Sequence, residues 1–209
     1  MSLLTSLEMW LPKEVGFAVR NPSKSYPLHD VEKTSVAHAI PKRKNEFSAG
    51  RDAAREVLSQ FGLDNCSISV GEKRAPVWPD GFCGSITHSD EICIAAIARQ
   101  GNVQAIGIDA EPDLPLRSEL HSSILHSDEF DASAEDAIAI FSKKEALFKM
   151  LFPLTGLWMG FHDAKRVGLD RLELTRSFGR FTAGMHFHVP TLRVSGHVIS
   201  FCKLEGDIA

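Results

Sequence analysis

The stretch GSITHSDEICIAAIARQGNVQAIGIDAE, residues 84–111, contains three short segments with the composition of β-strands. The first two segments, 84–87 and 91–98, are joined by a tight polar turn, which predicts an antiparallel hairpin. The third segment, 103–109, is also strand-like and leads into acidic residues. We therefore expect a sheet near the middle of the chain.

Helical patterns lie on both sides of these strands. Pro41 can begin a helix and Gly62 can end it, and apolar residues between them fall on one face at helical spacing. Ser133 is a suitable N-cap for a second long helix, which we expect to run to about Phe152 and to stop at Pro153.

Further strand-like segments flank each helix. They lie at about 14–20 and 67–70 in the first half, and form an alternating meander in the tail after residue 162. The order of helix and strands, repeated once, predicts an α+β protein of two similar halves rather than a doubly wound sheet. We place the halves at 1–102 and 103–209.

The composition excludes several classes of protein. The 209 residues are 44% apolar and 24% charged, so a sizeable core is available, and the net charge of −4 gives no global positive field for nucleic acid. No apolar run approaches the ~20 residues of a spanning helix, and the N-terminus is a poor signal peptide. The four cysteines form no C-x-x-C pair, which indicates reduced thiols in a cytoplasmic protein.

The segment IGIDAE, residues 106–111, is the first candidate for chemistry. On a strand, Asp109 and Glu111 point to the same face, and two neighbouring carboxylates favour a hard cation such as Mg²⁺. Gly107 permits the close approach of another group. A strand that simply ends in solvated acids explains the same pattern, so the residues alone leave both interpretations open.

The segment FSKKEALFK, residues 141–149, is the second candidate. Glu145 borders the apolar face of the helix and lies four residues before Lys149. That spacing is common for a surface ion pair worth a few tenths of a kcal/mol, ~0.2–0.5. The alternative is that Glu145 reaches the same cation as Asp109 and Glu111, while Lys149 meets a phosphate.

The third candidate combines GEKRAPVWP (71–79) with GSITHS (84–89). Arg74 in a Pro-rich segment can present a cation to a nucleotide, and His88 at a strand end can donate to phosphate oxygens. A surface turn and a strand-end histidine would give the same sequence. Neither segment has the glycine spacing of a P-loop or a dinucleotide fold.

Taken together and in this order, these segments resemble the 4′-phosphopantetheinyl transferase family. The similarity rests on GEKRAPVWP, ITHS, IGIDAE and FSKKEALFK, with FSAGRDAAR (47–55) similar to an upstream helix of the family. It covers about 41–153. Thr87 and Phe141 replace a commoner serine and tryptophan. The chain length and the R-A-P-x-W-P motif are similar to those of the long, monomeric branch of the family, which is associated with siderophore and other non-ribosomal synthetases.

The resemblance implies an enzyme that transfers phosphopantetheine from coenzyme A to a serine of an apo acyl or peptidyl carrier protein, releasing 3′,5′-ADP. It implies a pseudo-dimer in which each half is a long helix packed on antiparallel strands, with coenzyme A in the cleft between the halves. The implied partners are coenzyme A and the carrier, with neither nucleic acid nor membrane.

The resemblance also implies a role for each matching residue. Asp109, Glu111 and Glu145 would hold Mg²⁺, and Glu145 would also accept the serine proton, directly or through a water. Lys149 would stabilise the phosphate or the leaving group. The residues implied for coenzyme A are Arg51 at the 3′-phosphate, Arg74, Thr87 and His88 at the phosphates and adenosine, and, on a looser alignment, Lys42 and Arg43.

Two other hypotheses compete with the transferase. A Mg²⁺-dependent nuclease or phosphohydrolase would also use clustered carboxylates with a lysine, although Asp109-Ala-Glu111 runs into Pro112 instead of an acid-x-Lys pattern. A non-catalytic coenzyme A-binding module would keep the basic segment and His88 but would not need all three carboxylates. Carrier proteins of the family are acidic, so the acidic run at 107–136 disfavours docking through its carboxylates. We expect the carrier to dock through apolar and basic surface, near 114–125 and the helix after it.

Overall fold

The computed structural model describes residues 1–101 and 103–206. In chain order the elements are α1 (Leu3–Trp10), β1 (Val15–Arg20), α2 (Asp30–Ser35), α3 (Pro41–Gln60), β2 (Phe82–His88), β3 (Cys93–Arg99), β4 (Val103–Pro112), α4 (His121–Ile124), α5 (Ala134–Thr155), β5 (Ala164–Arg166), β6 (Arg171–Leu174), β7 (His186–His188), β8 (Thr191–Val194) and β9 (His197–Glu205).

These elements form two compact units. The N-terminal unit comprises Leu11–Ile106 with residues 204–206, and the C-terminal unit comprises Met1–Trp10 and Gly107–Lys203. Each contains a long helix and antiparallel strands, which confirms the α+β class. The domain limits 1–102 and 103–209 stay a prediction.

The N-terminal unit is a three-stranded antiparallel sheet, in the order β1-β3-β2, with α3 packed on it. The predicted hairpin of β2 and β3 is confirmed, with Phe82 opposite Arg99 and His88 opposite Cys93. Trp78 lies against Gly84, where a Cβ atom would come within 2.7 Å of the indole ring. Gly84 therefore gives that tryptophan its place on the sheet.

The C-terminal unit contains two small sheets, in the orders β4-β9-β8 and β5-β6-β7. Helix α5 begins after Ser133, whose side chain accepts a hydrogen bond from the Asp136 amide as an N-cap. Buried residues of α5, such as Leu147 and Met150, form part of the core. The predicted tail strands are present, but they divide between two sheets.

Two local predictions are wrong. Residues 67–70 form no strand; they belong to a loop with a single bridge between Val70 and Pro76. Helix α5 does not stop at Pro153 but continues to Thr155 and is capped by Gly156 in a left-handed conformation. A proline in the last turn removes only one N–H donor there, so the helix tolerates it.

Within residues 1–101 and 103–206, no helix is long and apolar enough to cross a membrane.

Gly107 is the point at which β4 lies directly against α5. A Cβ atom at this position would overlap the carbonyl oxygen of Ala146 and lie 2.9 Å from the Met150 nitrogen. These are backbone atoms inside a helix, so they cannot turn aside as a side chain could. The absence of a side chain at residue 107 therefore sets the spacing between the strand and the helix.

We predict that Gly107→Ala lowers the free energy of unfolding by about 3 kcal/mol, the upper end of overpacking costs, because strand and helix must separate. Gly160→Ala is the matched control: its Cβ would meet nothing nearer than 3.5 Å. Urea unfolding of both variants measures the difference. Equal, small effects would show that β4 and α5 are not held at this spacing.

Candidate active site

The close contact at Gly107 carries acidic residues of β4 to the side of α5. Asp109 is 3% exposed and Glu111 is half-buried, and both lie on β4 as the alternation predicts. On α5, Glu145 is half-buried and lies near enough to influence both groups electrostatically. Two carboxylates of one strand and a third from a helix more than thirty residues later thus lie close together in the C-terminal unit.

Lys149 is the cation beside this cluster. Its Nζ donates to Oδ1 of Asp109 at 2.7 Å and to the carbonyl oxygen of Ile108 at 3.3 Å. Residues 145 and 149 are one helical turn apart, so Lys149 and Glu145 approach β4 from the same side of α5. The hypothesis of a pair confined to the surface of the helix is wrong, because Lys149 bonds to the strand.

Burial and the neighbouring charges shift the pKa values of two of these carboxylates. Burial, followed by repulsion from Asp109 and Glu145, raises the pKa of Glu111 to about 7, although Lys149 opposes the shift. Burial also raises the pKa of Glu145, again with Lys149 opposing and Asp109 adding to the effect. A positive charge placed here would favour the ionised carboxylates and lower both pKa values.

This donor set fits a hard divalent cation. Carboxylate oxygens are the protein ligands that Mg²⁺ takes, usually from one or two side chains with the rest of its shell from waters and phosphates. In the described residues, no group of three His, Cys, Asp or Glu side chains is already gathered in metal-binding geometry. Asp109, Glu111 and Glu145 match the cation by charge and chemistry, while Lys149 balances part of the charge.

The loop that carries Arg74 closes on itself in the N-terminal unit. The Gly71 amide donates to the Ala75 carbonyl at 2.8 Å, and the Val77 amide donates to the Ser69 carbonyl at 3.0 Å. We name residues 69–77 the basic loop. Lys73 and Arg74 lie at its tip with positive φ angles of 47° and 69°, and both are exposed.

Thr87 and His88 end strand β2, as predicted. Thr87 is buried and His88 is more exposed. Arg43 Nη1 lies 3.0 Å from Nε2 of His88, and a carboxylate oxygen of Glu46 lies 3.8 Å from the same nitrogen. Arg43 also pairs with Glu46 at 3.3 Å. The looser sequence match at Arg43 thus lies directly beside His88.

Arg51 is buried, with 5% of its surface exposed. Its Nε donates to the carbonyl oxygen of Ile68 at 2.8 Å, and its guanidinium lies over the ring of Phe47, 4.3 Å from the centroid. Burial lowers the pKa of Arg51 to about 10. The expected contact with a 3′-phosphate stays a prediction.

The structure adds two residues that the sequence patterns did not single out. Glu46 lies in α3 three residues after Arg43, a spacing that could have indicated the ion pair. Glu32 is fully buried in α2 and bonds to a backbone amide 36 residues away, at Ile68. No local pattern in the sequence signals that contact.

The chain was compared with families of known proteins. Residues 31–98 match the 4′-phosphopantetheinyl transferase N-terminal domain, and residues 105–202 match the 4′-phosphopantetheinyl transferase superfamily. The two matches together cover most of the chain and include every candidate site residue named above.

Individual relatives agree with this assignment. The chain is 34% identical to the 4′-phosphopantetheinyl transferase Svp of Streptomyces mobaraensis, across 96% of this chain and 80% of that protein. It is 38% identical to the 4′-phosphopantetheinyl transferase PptT of Mycobacterium tuberculosis, across 69% of this chain and 66% of PptT. It is 37% identical to enterobactin synthase component D of Escherichia coli K12, across 54% and 57% of the two chains.

The matched regions, the level of identity and the carboxylate cluster agree: this chain belongs to the 4′-phosphopantetheinyl transferase family of enzymes.

Proposed function

We propose that this protein transfers the 4′-phosphopantetheine group of coenzyme A to a serine hydroxyl of an apo acyl or peptidyl carrier protein, with Mg²⁺ held by Asp109, Glu111 and Glu145. The main support is the group of three carboxylates with Lys149 where β4 meets α5. The family membership of the chain supports the choice of substrates.

The reaction needs a base, and Glu145 is our candidate. It lies one helical turn before Lys149 and close to Asp109 and Glu111, so its carboxylate is near the region where the phosphate and the cation are proposed to bind. Glu145 takes the proton of the serine hydroxyl while the serine oxygen attacks the phosphorus next to pantetheine. A new phosphodiester bond forms, the bond to the bridging oxygen breaks, and 3′,5′-ADP leaves with its electron pair.

Lys149 and the cation complement each other at the leaving group. Mg²⁺, when bound, supplies positive charge that neutralises the pyrophosphate oxygens. Asp109 keeps the ammonium of Lys149 within reach of the same region through the 2.7 Å ion pair. We propose that Lys149 stabilises the negative charge that develops as the bridging oxygen departs.

Binding of coenzyme A is assigned to residues of the N-terminal unit. Arg74 presents an exposed guanidinium, and the end of β2 offers Thr87 and His88. We propose that these side chains meet the phosphates and adenosine, and that Arg51 acts on the same ligand. The monomeric state, the cytoplasmic location and a carrier docking surface near 114–125 remain predictions.

The first test is a mass assay with coenzyme A, Mg²⁺ and one apo acyl and one apo peptidyl carrier protein. We expect at least one carrier to gain a single phosphopantetheine, and Asp109→Ala, shown folded by circular dichroism, to abolish the gain. Release of 3′,5′-ADP without modification of a carrier would indicate a phosphohydrolase instead. If the protein neither releases 3′,5′-ADP nor modifies a carrier, it is a non-catalytic binding module.

The second test concerns Glu145. We predict that Glu145→Gln lowers turnover by roughly 10²–10⁴-fold at saturating coenzyme A and Mg²⁺, which is what a general base contributes. Lys149→Ala should also lower turnover. Glu135→Gln is the control, because it makes the same change at an exposed position of α5. Wild-type turnover in Glu145→Gln would leave proton transfer to another group.

The third test separates the two arginines. Arg74→Ala should weaken coenzyme A binding by about ten- to a hundredfold, the loss of one charge-assisted contact of roughly 1.5–3 kcal/mol. If Arg51 contacts the 3′-phosphate, Arg51→Ala weakens binding of coenzyme A but not of dephospho-coenzyme A. Equal losses for both ligands in calorimetry would show that Arg51 acts elsewhere.

A further inference from the structure

The backbone of one residue, Ile68, is held at both of its polar groups. Its N–H donates to Oε1 of Glu32 at 2.9 Å, and its carbonyl oxygen accepts from Nε of Arg51 at 2.8 Å. Ile68 and Glu32 are both fully buried, and Arg51 is 5% exposed. Ile68 belongs to no strand, so these side chains satisfy groups that a sheet would otherwise pair.

Glu32 is itself fixed by several donors. Arg55 Nη1 donates to both carboxylate oxygens, at 3.0 and 2.8 Å, and the His29 amide donates to Oε2 at 2.9 Å. A fully buried carboxylate is tolerated only when it is paired and hydrogen-bonded in this way. Glu32 therefore joins α2, α3 and the segment at Ile68 into one rigid connection.

The basic loop, residues 69–77, begins at the residue after Ile68. Hydrogen bonds within the basic loop make it a small closed unit, so the orientation of the loop on the protein depends on the residues at its two ends. One end is Ile68, held by Glu32 and Arg51, and the other leads to Trp78, seated on Gly84. Lys73 and Arg74 both have positive φ angles, a backbone conformation that non-glycine residues keep only where the surrounding structure holds it.

We infer that Glu32 is a positioning residue for coenzyme A binding: together with Arg51 it fixes the backbone of Ile68 and thereby holds Arg74, at the tip of the basic loop, where the ligand binds. This inference rests on the proposed function. Glu32 contacts no substrate.

Steady-state kinetics of Glu32→Gln test this role. The amide cannot accept at both positions, so either the Ile68 or the His29 amide loses its acceptor. We expect the KM for coenzyme A to rise about tenfold, while kcat at saturating coenzyme A stays within about twofold, because ground-state positioning is lost and the chemistry is not. Glu56→Gln is the control: it makes the same change at an exposed glutamate that also pairs with an arginine, Arg20, and Arg20 bonds to Asp52 and Val19 besides Glu56.

A double-mutant cycle connects Glu32 to Arg74. If Glu32 acts by placing Arg74, the double variant Glu32→Gln/Arg74→Ala binds coenzyme A no more weakly than the worse single variant. Fully additive losses would overturn the inference. So would a Glu32→Gln protein with a lower melting temperature and an unchanged KM, since that result describes a purely structural residue.

Hydrogen exchange separates the positioning role from the proposed function, because it requires no catalysis. The amides of Gly71 and Val77 should exchange at least about tenfold faster in Glu32→Gln than in Glu56→Gln. If the wild-type protein does not use coenzyme A but the two variants still differ in exchange, the proposed function is refuted. The structural link from Glu32 to the basic loop is then retained. If Glu32→Gln does not fold, the wild type suffices: an Ile68 amide that exchanges as fast as exposed loop amides overturns the inference.

Discussion

The contact between Gly107 of β4 and the backbone of α5 is the constraint on which the candidate active site depends. Only a residue without a side chain lets the strand lie against Ala146 and Met150. The same contact brings Asp109 and Glu111 toward Glu145 and Lys149, so a packing requirement and the proposed catalytic arrangement depend on one glycine. Any larger residue at 107 would move strand and helix apart and would disperse the carboxylates.

The resulting cluster carries more negative charge than Lys149 alone balances. The raised pKa of Glu111, about 7, expresses this excess together with the effect of burial. An acid whose pKa is higher in the folded state holds its proton more tightly there, so its ionisation costs folding free energy as pH rises from about 4.5 toward 7. A divalent cation bound here would offset that cost, and its positive charge would also stabilise the phosphate oxygens during phosphoryl transfer.

Sequence patterns predicted the parts of this protein that depend on neighbouring residues. Alternation placed Asp109 and Glu111 on one strand, and helical spacing placed Glu145 one turn before Lys149. The partner of Lys149 on β4 was not predictable, because it is 40 residues away in sequence. The same holds for Glu32, whose role follows from an amide at Ile68. At Pro153 the helix continues past a local stop signal to its Gly156 cap.

Thermal unfolding at pH 8 of the wild type and Glu111→Gln, each with and without excess Mg²⁺, tests the charge balance most directly. Without Mg²⁺, we predict that Glu111→Gln melts several degrees above the wild type, because one repelling charge is gone. Mg²⁺ at about 100 times its Kd should stabilise the wild type by about 2.7 kcal/mol, roughly 5–10 °C at ~2–4 °C per kcal/mol, and the variant far less. A variant less stable than the wild type without Mg²⁺, or equal stabilisation of both proteins by Mg²⁺, would contradict the account.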